Sequence, residues 1–428
     1  MNNELSVSLV KKNTIDAGTH VGFSAFQKMI YMFFCVVLLV TCNSVYWVSV
    51  NTRNSQVITL ILFLLLIVIS LNSIVSTIHK RINLAPFVYF IFLWLIMVIP
   101  FVLMNVASGF FHVRQGLLFI FFPLLAALFI NSLLQEGNLL DFVSLMVKAI
   151  VAIACLSLVM WVIALIGNRW TGSTMIDWGQ IRYTPSLLGI QFQTQSVNLA
   201  NMTLLRNTSF FAEAPMYSFV LTIGLLLKLF VVDKRVKVDS QNIIFVITIL
   251  STFSSTGIIV GTIAYAASYV VDKGNKALLF FVLAVPVVAF FVYWILRTKS
   301  QNDTYDSVST RLEDLQVGFN AWRSKPLFGD GLDNSDALIS RMSYSRTMLG
   351  GNSGFSSGLF NILAGGGIYQ FAFSFLIPLI RVIWSKNNQN ILFFLFFMVL
   401  MVFTMSDSSF LFFFIVTLAY FLPVAYTG

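Results

Sequence analysis

Ten apolar runs long enough to cross a membrane dominate the chain, at about 29–50, 57–78, 84–105, 116–134, 142–166, 210–232, 243–271, 277–296, 356–380 and 391–425. A helix needs about 20 apolar residues to cross a hydrocarbon core. Backbone polar groups in lipid must be satisfied within the segment, which favours helices over open strands. The runs therefore predict an all-α, polytopic integral membrane protein. Composition agrees: 58% of the 428 residues are hydrophobic and 10% are charged, against roughly 25% charged in a soluble domain. So few charges cannot cover a water-soluble globule of this size. That excludes a soluble enzyme, a disordered regulator, a disulfide-stapled secreted module and a single-span receptor.

Two runs are too long for one helix. Run 243–271 contains Ser254-Ser255-Thr256-Gly257, and run 391–425 contains Ser406-Asp407-Ser408-Ser409. An Asp flanked by serines is costly at the bilayer centre, so each run predicts a hairpin of two short helices. The total becomes about 12 transmembrane helices with both termini inside. The expected order is a cytoplasmic tail (1–28), helices 1–5 (29–166), a first long outer loop (167–209), helices 6–9 (210–296), a second long outer loop (297–355) and helices 10–12 (356–428). The first apolar run is too long for a signal-peptide core and reads as a retained helix. Cys35, Cys42 and Cys155 all lie in apolar runs and read as packing residues, neither a disulfide framework nor a metal cluster.

The formal charge of +9 comes from 26 basic and 17 acidic residues. Nucleic acid is not needed to explain it. With twelve spans the short inner loops and tail hold Lys11, Lys12, Lys28, Lys80, Arg81, Lys234, Arg235, Lys237, Lys273, Lys276, Arg381 and Lys386, while the short outer loops hold only Arg53 and Arg114. That is the positive-inside pattern. Sorting by residue type adds something the orientation rule does not demand. The inner side carries 11 Lys and 3 Arg, the outer side 2 Lys and 10 Arg. A guanidinium fork binds phosphate oxygens in pairs and stays charged at any relevant pH, so an outer face rich in arginine suggests a phosphate or pyrophosphate ligand. The alternative is that outer loops simply tolerate arginine at lipid head groups.

The second long loop has its own pattern. Thr310-Arg311-Leu312-Glu313 has the form of a capping box and Pro326 supplies a stop, so 311–324 should be helical. Leu312, Leu315, Phe319 and Trp322 fall on one sector about 80° wide, with Arg311 and Arg323 on opposite edges. Such a helix would lie along the membrane interface with its apolar face down. Pro326-Leu327-Phe328-Gly329-Asp330-Gly331 follows as a sharp turn whose glycines let backbone approach a ligand. Arg341, Arg346 and Gly350-Gly351-Asn352-Ser353-Gly354 come next.

These residues carry a resemblance. Arg311, Trp322, Pro326-Leu327-Phe328-Gly329-Asp330-Gly331, Asn352-Ser353-Gly354 and then Gly365-Gly366-Gly367-Ile368 resemble the long-loop signature of bacterial O-antigen polymerases and ligases. Upstream, Arg206-Asn207-Thr208-Ser209-Phe210-Phe211-Ala212-Glu213-Ala214-Pro215 is similar to the family's Arg-x-x-Gly-x-Phe-x-Glu-Pro segment. Here Ser209 replaces the glycine and Pro215 comes one residue late. Ser254-Ser255-Thr256-Gly257 stands where the family has Ser-Arg-x-Gly, with Ser255 in place of the arginine.

The resemblance implies a Wzy-type O-antigen polymerase of the bacterial inner membrane. Such an enzyme transfers a growing glycan from undecaprenyl pyrophosphate onto a lipid-linked repeat unit at the outer face, without cofactor or metal. Its partners would be the lipid-linked oligosaccharide, membrane lipids and a chain-length regulator protein. Arg206 and Arg311 are then expected at the pyrophosphate, with Arg323, Arg341, Arg346 and Asn352 as further substrate contacts. Glu213 is either a proton-transfer group with a raised pKa or the ion-pair partner of Arg206. Asp330 is a turn residue, a ligand of sugar hydroxyls or a base. Trp170, Trp178 and Tyr183 are candidates for stacking on sugar rings. A ligase would carry a histidine in the long loop, yet none of His20, His79 and His112 lies in either one. The alternatives are an O-antigen ligase and, from another class, a lipid-linked oligosaccharide flippase or secondary transporter.

Overall fold

The structure, a computed structural model, describes residues 22–80, 83–107, 109, 113–167, 170–179, 181–199, 202–233, 239–273, 307–331, 334–349 and 353–425. Its helices follow the apolar runs. They are α1 (Ala25–Val40), α2 (Thr52–Lys80), α3 (Ala85–Ala107), α4 (Val113–Gly116, continued by a π turn Leu117–Phe121 and by Phe122–Gln135) and α5 (Leu139–Gly167). After a β region come α6 (Ala214–Leu227, continued by Lys228–Val232), α7 (Ser240–Ser251) and α8 (Ser255–Lys273). The second long loop holds α9 (Ser307–Ser324) and α10 (Ser335–Ile339). The chain closes with α11 (Gly358–Phe371, continued by Ala372–Leu376 and Ile377–Trp384), α12 (Asn388–Phe403) and α13 (Phe410–Ala425).

Among the described residues, seven helical stretches are long and apolar enough to cross a membrane, and four shorter apolar helices accompany them. The fold is that of a polytopic, mostly helical membrane protein. Run 243–271 breaks at Thr252, Phe253 and Ser254, where Phe253 takes a left-handed φ of 49°. Run 391–425 breaks over 404–409. The run at 277–296 lies outside the described residues. Helix starts follow local chemistry. Ser24 and Gln27 cap α1 reciprocally, Pro215 sits in the first turn of α6, and Asp239 accepts from Asn242 N at 2.9 Å to cap α7.

The core is centred on α6 and α13, whose residues are buried almost all round, as expected for helices apolar on every face. Phenylalanines fill the space between them and their neighbours, for instance Phe122 against Phe410 at a centroid separation of 5.0 Å. By contrast α2 and α3 expose Leu60, Leu64, Phe92 and Leu103, side chains suited to lipid contact. At one end of the bundle Lys228 is buried between Asp233 (2.9 Å) and Asp239 (2.7 Å).

The opposite end is less regular. The first long loop, read from sequence only as a loop, contains two small antiparallel sheets: β1 (Gly172–Asp177), β2 (Ile181–Leu187) and β3 (Gln191–Phe192) in the order β1-β2-β3, and the hairpin β4 (Ser196–Leu199) with β5 (Met202–Leu205). The α1–α2 link joins this cap. Asp177 N donates to Val48 O at 2.9 Å, Val50 N to Met175 O at 3.1 Å, and Ala212 N to Asn43 O at 2.9 Å. The cap thus sits on the helix ends beside the breaks at 252–254 and 404–409.

Candidate active site

Three residues expected to act together, Arg206, Glu213 and Arg311, do meet at this end. Arg206 leaves β5 and turns its guanidinium onto the end of α7. Its Nε donates to Thr252 O at 2.8 Å, one terminal nitrogen to Phe253 O at 3.3 Å and the other to Gln195 Oε1 at 3.0 Å. A cation there satisfies carbonyls that the helix leaves unpaired and opposes its negative end. Gln195 Oε1 also accepts from Ala214 N at 3.1 Å, so one amide ties Arg206 to the start of α6. Burial lowers the Arg206 pKa to about 10, with Glu213 opposing and Arg311 adding to the fall. The group remains a cation at neutral pH.

Glu213 precedes the first turn of α6 and is half-buried. The Trp178 indole hydrogen-bonds to it, and Arg182, Arg206 and Arg311 all attract its charge, yet burial outweighs them and holds its pKa above the ordinary carboxylate value. The ion pair with Arg206 does not form: among the described residues no ion pair within 4.0 Å includes Glu213. Arg311 extends from α9 and donates to Thr256 Oγ1, in the first turn of α8, at 2.8 Å. Burial lowers its pKa while Glu213 and Asp314 oppose the shift. The site is therefore a half-buried carboxylate among three guanidinium groups.

Arg182 was not singled out by sequence reasoning. It lies on β2, and its Nε and one terminal nitrogen are buried without a hydrogen-bond partner among the described residues. Buried donors are rarely left unpaired, so these two stand ready for an incoming acceptor. Only the general excess of arginine at this end pointed to it. Trp178 is present as a hydrogen-bond donor to Glu213, not as a free stacking platform.

The glycine-rich turn has a different task from the one expected. Residues 326–331 run along an unwound stretch of α11. Asp330 N donates to Ala364 O (2.7 Å), Gly331 N to Gly365 O (3.0 Å), Ile368 N to Pro326 O (2.8 Å) and Tyr369 N to Leu327 O (3.2 Å). Gly367 adopts φ 60°, ψ −158° inside the helix, a conformation essentially confined to glycine. A Cβ on Gly329 or Gly367 would overlap the opposite backbone. The glycines let two chain segments approach each other, and no ligand is needed to explain them. Gly257 acts similarly at the start of α8, where a Cβ would overlap the Ser218 side chain of α6.

The remaining candidates disperse. Asp330 bridges Lys325 (2.9 Å) and Arg341 (3.2 Å), and Arg341 also donates to Ser324 Oγ at 3.1 Å. Both serve the turn. The cavity beside Asp330, Asn361 and Asp407 measures 30 Å³, room for a few waters at most and far below the roughly 300 Å³ or more of small-ligand sites. Arg346 is buried and pairs with Asp314 at 2.7 Å and Glu313 at 3.6 Å, while Asp314 also accepts from Ser356 N and Oγ at 2.9 and 2.6 Å. Its expected substrate contact gives way to this internal pair. Arg323 is exposed at the far end of α9, away from Arg311, and Asn352 lies outside the described residues.

Helix α9 also differs in detail. It already includes Ser307–Thr310, ahead of the expected start, and Glu313 accepts from Ser343 N at 2.7 Å rather than closing a capping box with Thr310. The buried face consists of Asp314, Val317, Gly318 and Ala321, whereas Leu312 and Phe319 of the apolar stripe remain exposed. Gly318 lets Phe355 and Phe360 approach the helix closely.

The fold is a helical bundle of a multi-pass membrane protein, capped at one end by a cluster of arginines around a carboxylate. Residues 242–375 match the family model for O-antigen ligase, which bears out the motif resemblance to the O-antigen polymerase and ligase superfamily. The chain accordingly carries the domain of an O-antigen ligase or polymerase type of membrane enzyme. The match includes Arg311 and both glycine motifs; Arg182, Arg206 and Glu213 lie upstream of it. No curated protein matches the chain.

Proposed function

We propose that this protein is a polysaccharide polymerase of the Wzy type, transferring a growing glycan from undecaprenyl pyrophosphate onto a lipid-linked repeat unit at the outer face of the bacterial inner membrane. The observation that carries the reading is the convergence of Arg182, Arg206 and Arg311 on Glu213, at the end of the bundle where both long loops meet.

The chemistry needs little else. A hydroxyl of the acceptor sugar attacks the anomeric carbon of the donor, and the bond from that carbon to the pyrophosphate oxygen breaks with its electron pair on the leaving group. Arg182 and Arg311 retain donors for the developing charge, and buried guanidinium groups stabilise it strongly. Arg206 uses three of its five N–H donors on the protein. It positions the break between α7 and α8, and its charge contributes to the field. Glu213 takes the proton from the attacking hydroxyl, a task suited to a carboxylate with a raised pKa. The lack of a histidine in either long loop favours polymerase over ligase.

The test is the lipid-linked glycan profile of a strain lacking the protein. Accumulated single repeat units support polymerisation, while retained long lipid-linked polymer identifies a ligase. A flippase is tested separately: turnover of a lipid-linked repeat by purified protein in detergent, where no second compartment exists, excludes transport as the activity.

A further inference from the structure

On the side of the bundle next to the β cap, α2 and the start of α4 enclose a groove of 560 Å³, within the roughly 300–1,000 Å³ of small-ligand sites. Its two ends differ chemically. Phe63, Leu117 and Phe410 make an apolar floor, and Ser55, Gln56 and Thr59 form a polar strip on one face of α2. At the mouth stands Arg114, its guanidinium carbon 5.4 Å from the centroid of the Trp47 ring. Among the described residues no ion pair includes Arg114, and the groove lining contains no acidic residue. The first turn of α2 adds Arg53 and no acid, where a helix usually prefers negative charge.

A cation without a protein counter-charge, above a hydrocarbon-lined trough on a lipid-facing helix, complements an anionic head with a single chain. The groove is linked to the site through the chain that forms its wall. Trp47 forms part of its wall, and the following residues Val48 and Val50 bond to β1 through Asp177 N and Met175 O. Trp178, the residue after β1, is the one that holds Glu213. Trp47 at Arg114 is thus connected to Glu213 through the Val48–Asp177 bond and Trp178.

We propose that this groove binds a polyprenyl phosphate chain by its head, as the docking place of a lipid-linked substrate. The proposal rests on the polymerase reading for its occupant. Arg114 contacts the phosphate, the hydroxyls and amide of α2 line the path of the head group, and the first isoprene units lie over Phe63, Leu117 and Phe410.

The test measures binding without turnover. Purified protein is titrated with undecaprenyl phosphate and, separately, with phosphatidylglycerol, and bound lipid is read by native mass spectrometry. Arg114→Glu removes the cation; Thr59→Trp fills the groove and leaves the cation in place. Both should weaken undecaprenyl phosphate binding by roughly tenfold or more, the loss expected for a charge-assisted contact or a blocked trough. Phosphatidylglycerol binding should not change. Unaltered undecaprenyl phosphate binding in both monodisperse variants overturns the proposal, as does a loss confined to phosphatidylglycerol. If the groove binds undecaprenyl phosphate in a protein that forms no polymer from lipid-linked repeats, the site stands and the polymerase reading falls.

Discussion

Arg206→Lys separates a positioning role from a direct one. The substitution keeps the charge and most of the length but replaces a planar fork by a point donor. In the native site three nitrogens serve three acceptors, Thr252 O, Phe253 O and Gln195 Oε1. An ammonium on one stem can serve one of these directions well. Two bonds to a charged donor are then lost at about 1.5–3 kcal/mol each, a total of about 3–6 kcal/mol. The loss falls on the break between α7 and α8. Thr256, the Arg311 partner, lies just beyond it in the first turn of α8, so the variant should also displace Arg311. Purified in detergent, Arg206→Lys should unfold at a lower temperature, exchange amide hydrogens faster over 249–256 and make no polymer. Among the described residues Arg311 makes one hydrogen bond, to Thr256, so Arg311→Lys should keep near-native stability while losing activity. An Arg206→Lys protein with wild-type exchange over 249–256 and no polymer would refute the reasoning, because Arg206 would then act on substrate directly.

Five further outcomes follow from the same geometry. Gly367→Ala must place a side chain at φ 60°, ψ −158°, which costs about 1–3 kcal/mol, and must also push residues 326–331 off α11; proteolysis should then cleave near Leu327 in the variant and not in the wild type. For Glu213 the folded pKa is raised by burial. A catalytic base there gives activity that falls with decreasing pH through a value above the ordinary carboxylate range of about 4.3, and a pH–rate profile whose acid limb lies at or below that range would argue against it. The same shift makes the protonated form the better fit to the fold, so its contribution to stability is present at low pH and is lost as pH rises through the folded pKa. Glu213→Gln should flatten that part of a melting-temperature profile. Asp314→Ala leaves Arg346 buried without its 2.7 Å partner and should cost about 3–5 kcal/mol, seen as loss of folded protein from membranes, whereas Arg323→Ala should leave both polymer and stability near wild type.

The helical part of this fold is legible in the sequence because lipid imposes one simple demand, an apolar run of sufficient length with its hydrogen bonds internal. Even the helix breaks are marked, by Ser254-Ser255-Thr256-Gly257 and Ser406-Asp407-Ser408-Ser409. The β cap is not. Its strands are short and of mixed polarity, as in Gly172–Asp177, and they gain order from pairing with residues such as Ser49 that are distant in sequence. The apolar stripe of α9 misleads for a related reason. Amphipathic periodicity identifies the buried face when water is the only alternative, but beside a membrane an apolar face can stay exposed to the interface while Asp314, Val317 and Ala321 face the protein. The meeting of Pro326–Gly331 with Gly365–Gly367 is made by backbone atoms. The sequence shows the glycines but not what they approach.

The arginine excess at this end has two physical origins that composition alone merges. Irregular backbone at the membrane boundary leaves carbonyls and carboxylates in need of donors. Arg206, Arg341 and Arg346 answer that need at Thr252, Phe253, Asp330 and Asp314. Arg346 also leaves its Nε without a hydrogen bond but is held by the Asp314 and Glu313 carboxylates. Among the described residues Arg182 instead keeps two buried nitrogens unpaired with no carboxylate within 4.0 Å, Arg311 uses one hydrogen bond, and Arg114 stands over an apolar groove with a ring as its neighbour. A cation whose donors are already occupied gains little from an arriving phosphate, whereas one held by the fold with donors free gains most of a charge-assisted contact. Lysine substitution therefore sorts the arginines. At Arg206, Arg341 and Arg346 it should reduce stability, and at Arg182, Arg311 and Arg114 it should reduce affinity for a pyrophosphate-bearing lipid with the fold intact. A set of variants in which these two losses do not separate would mean that the guanidinium groups act as one undivided field.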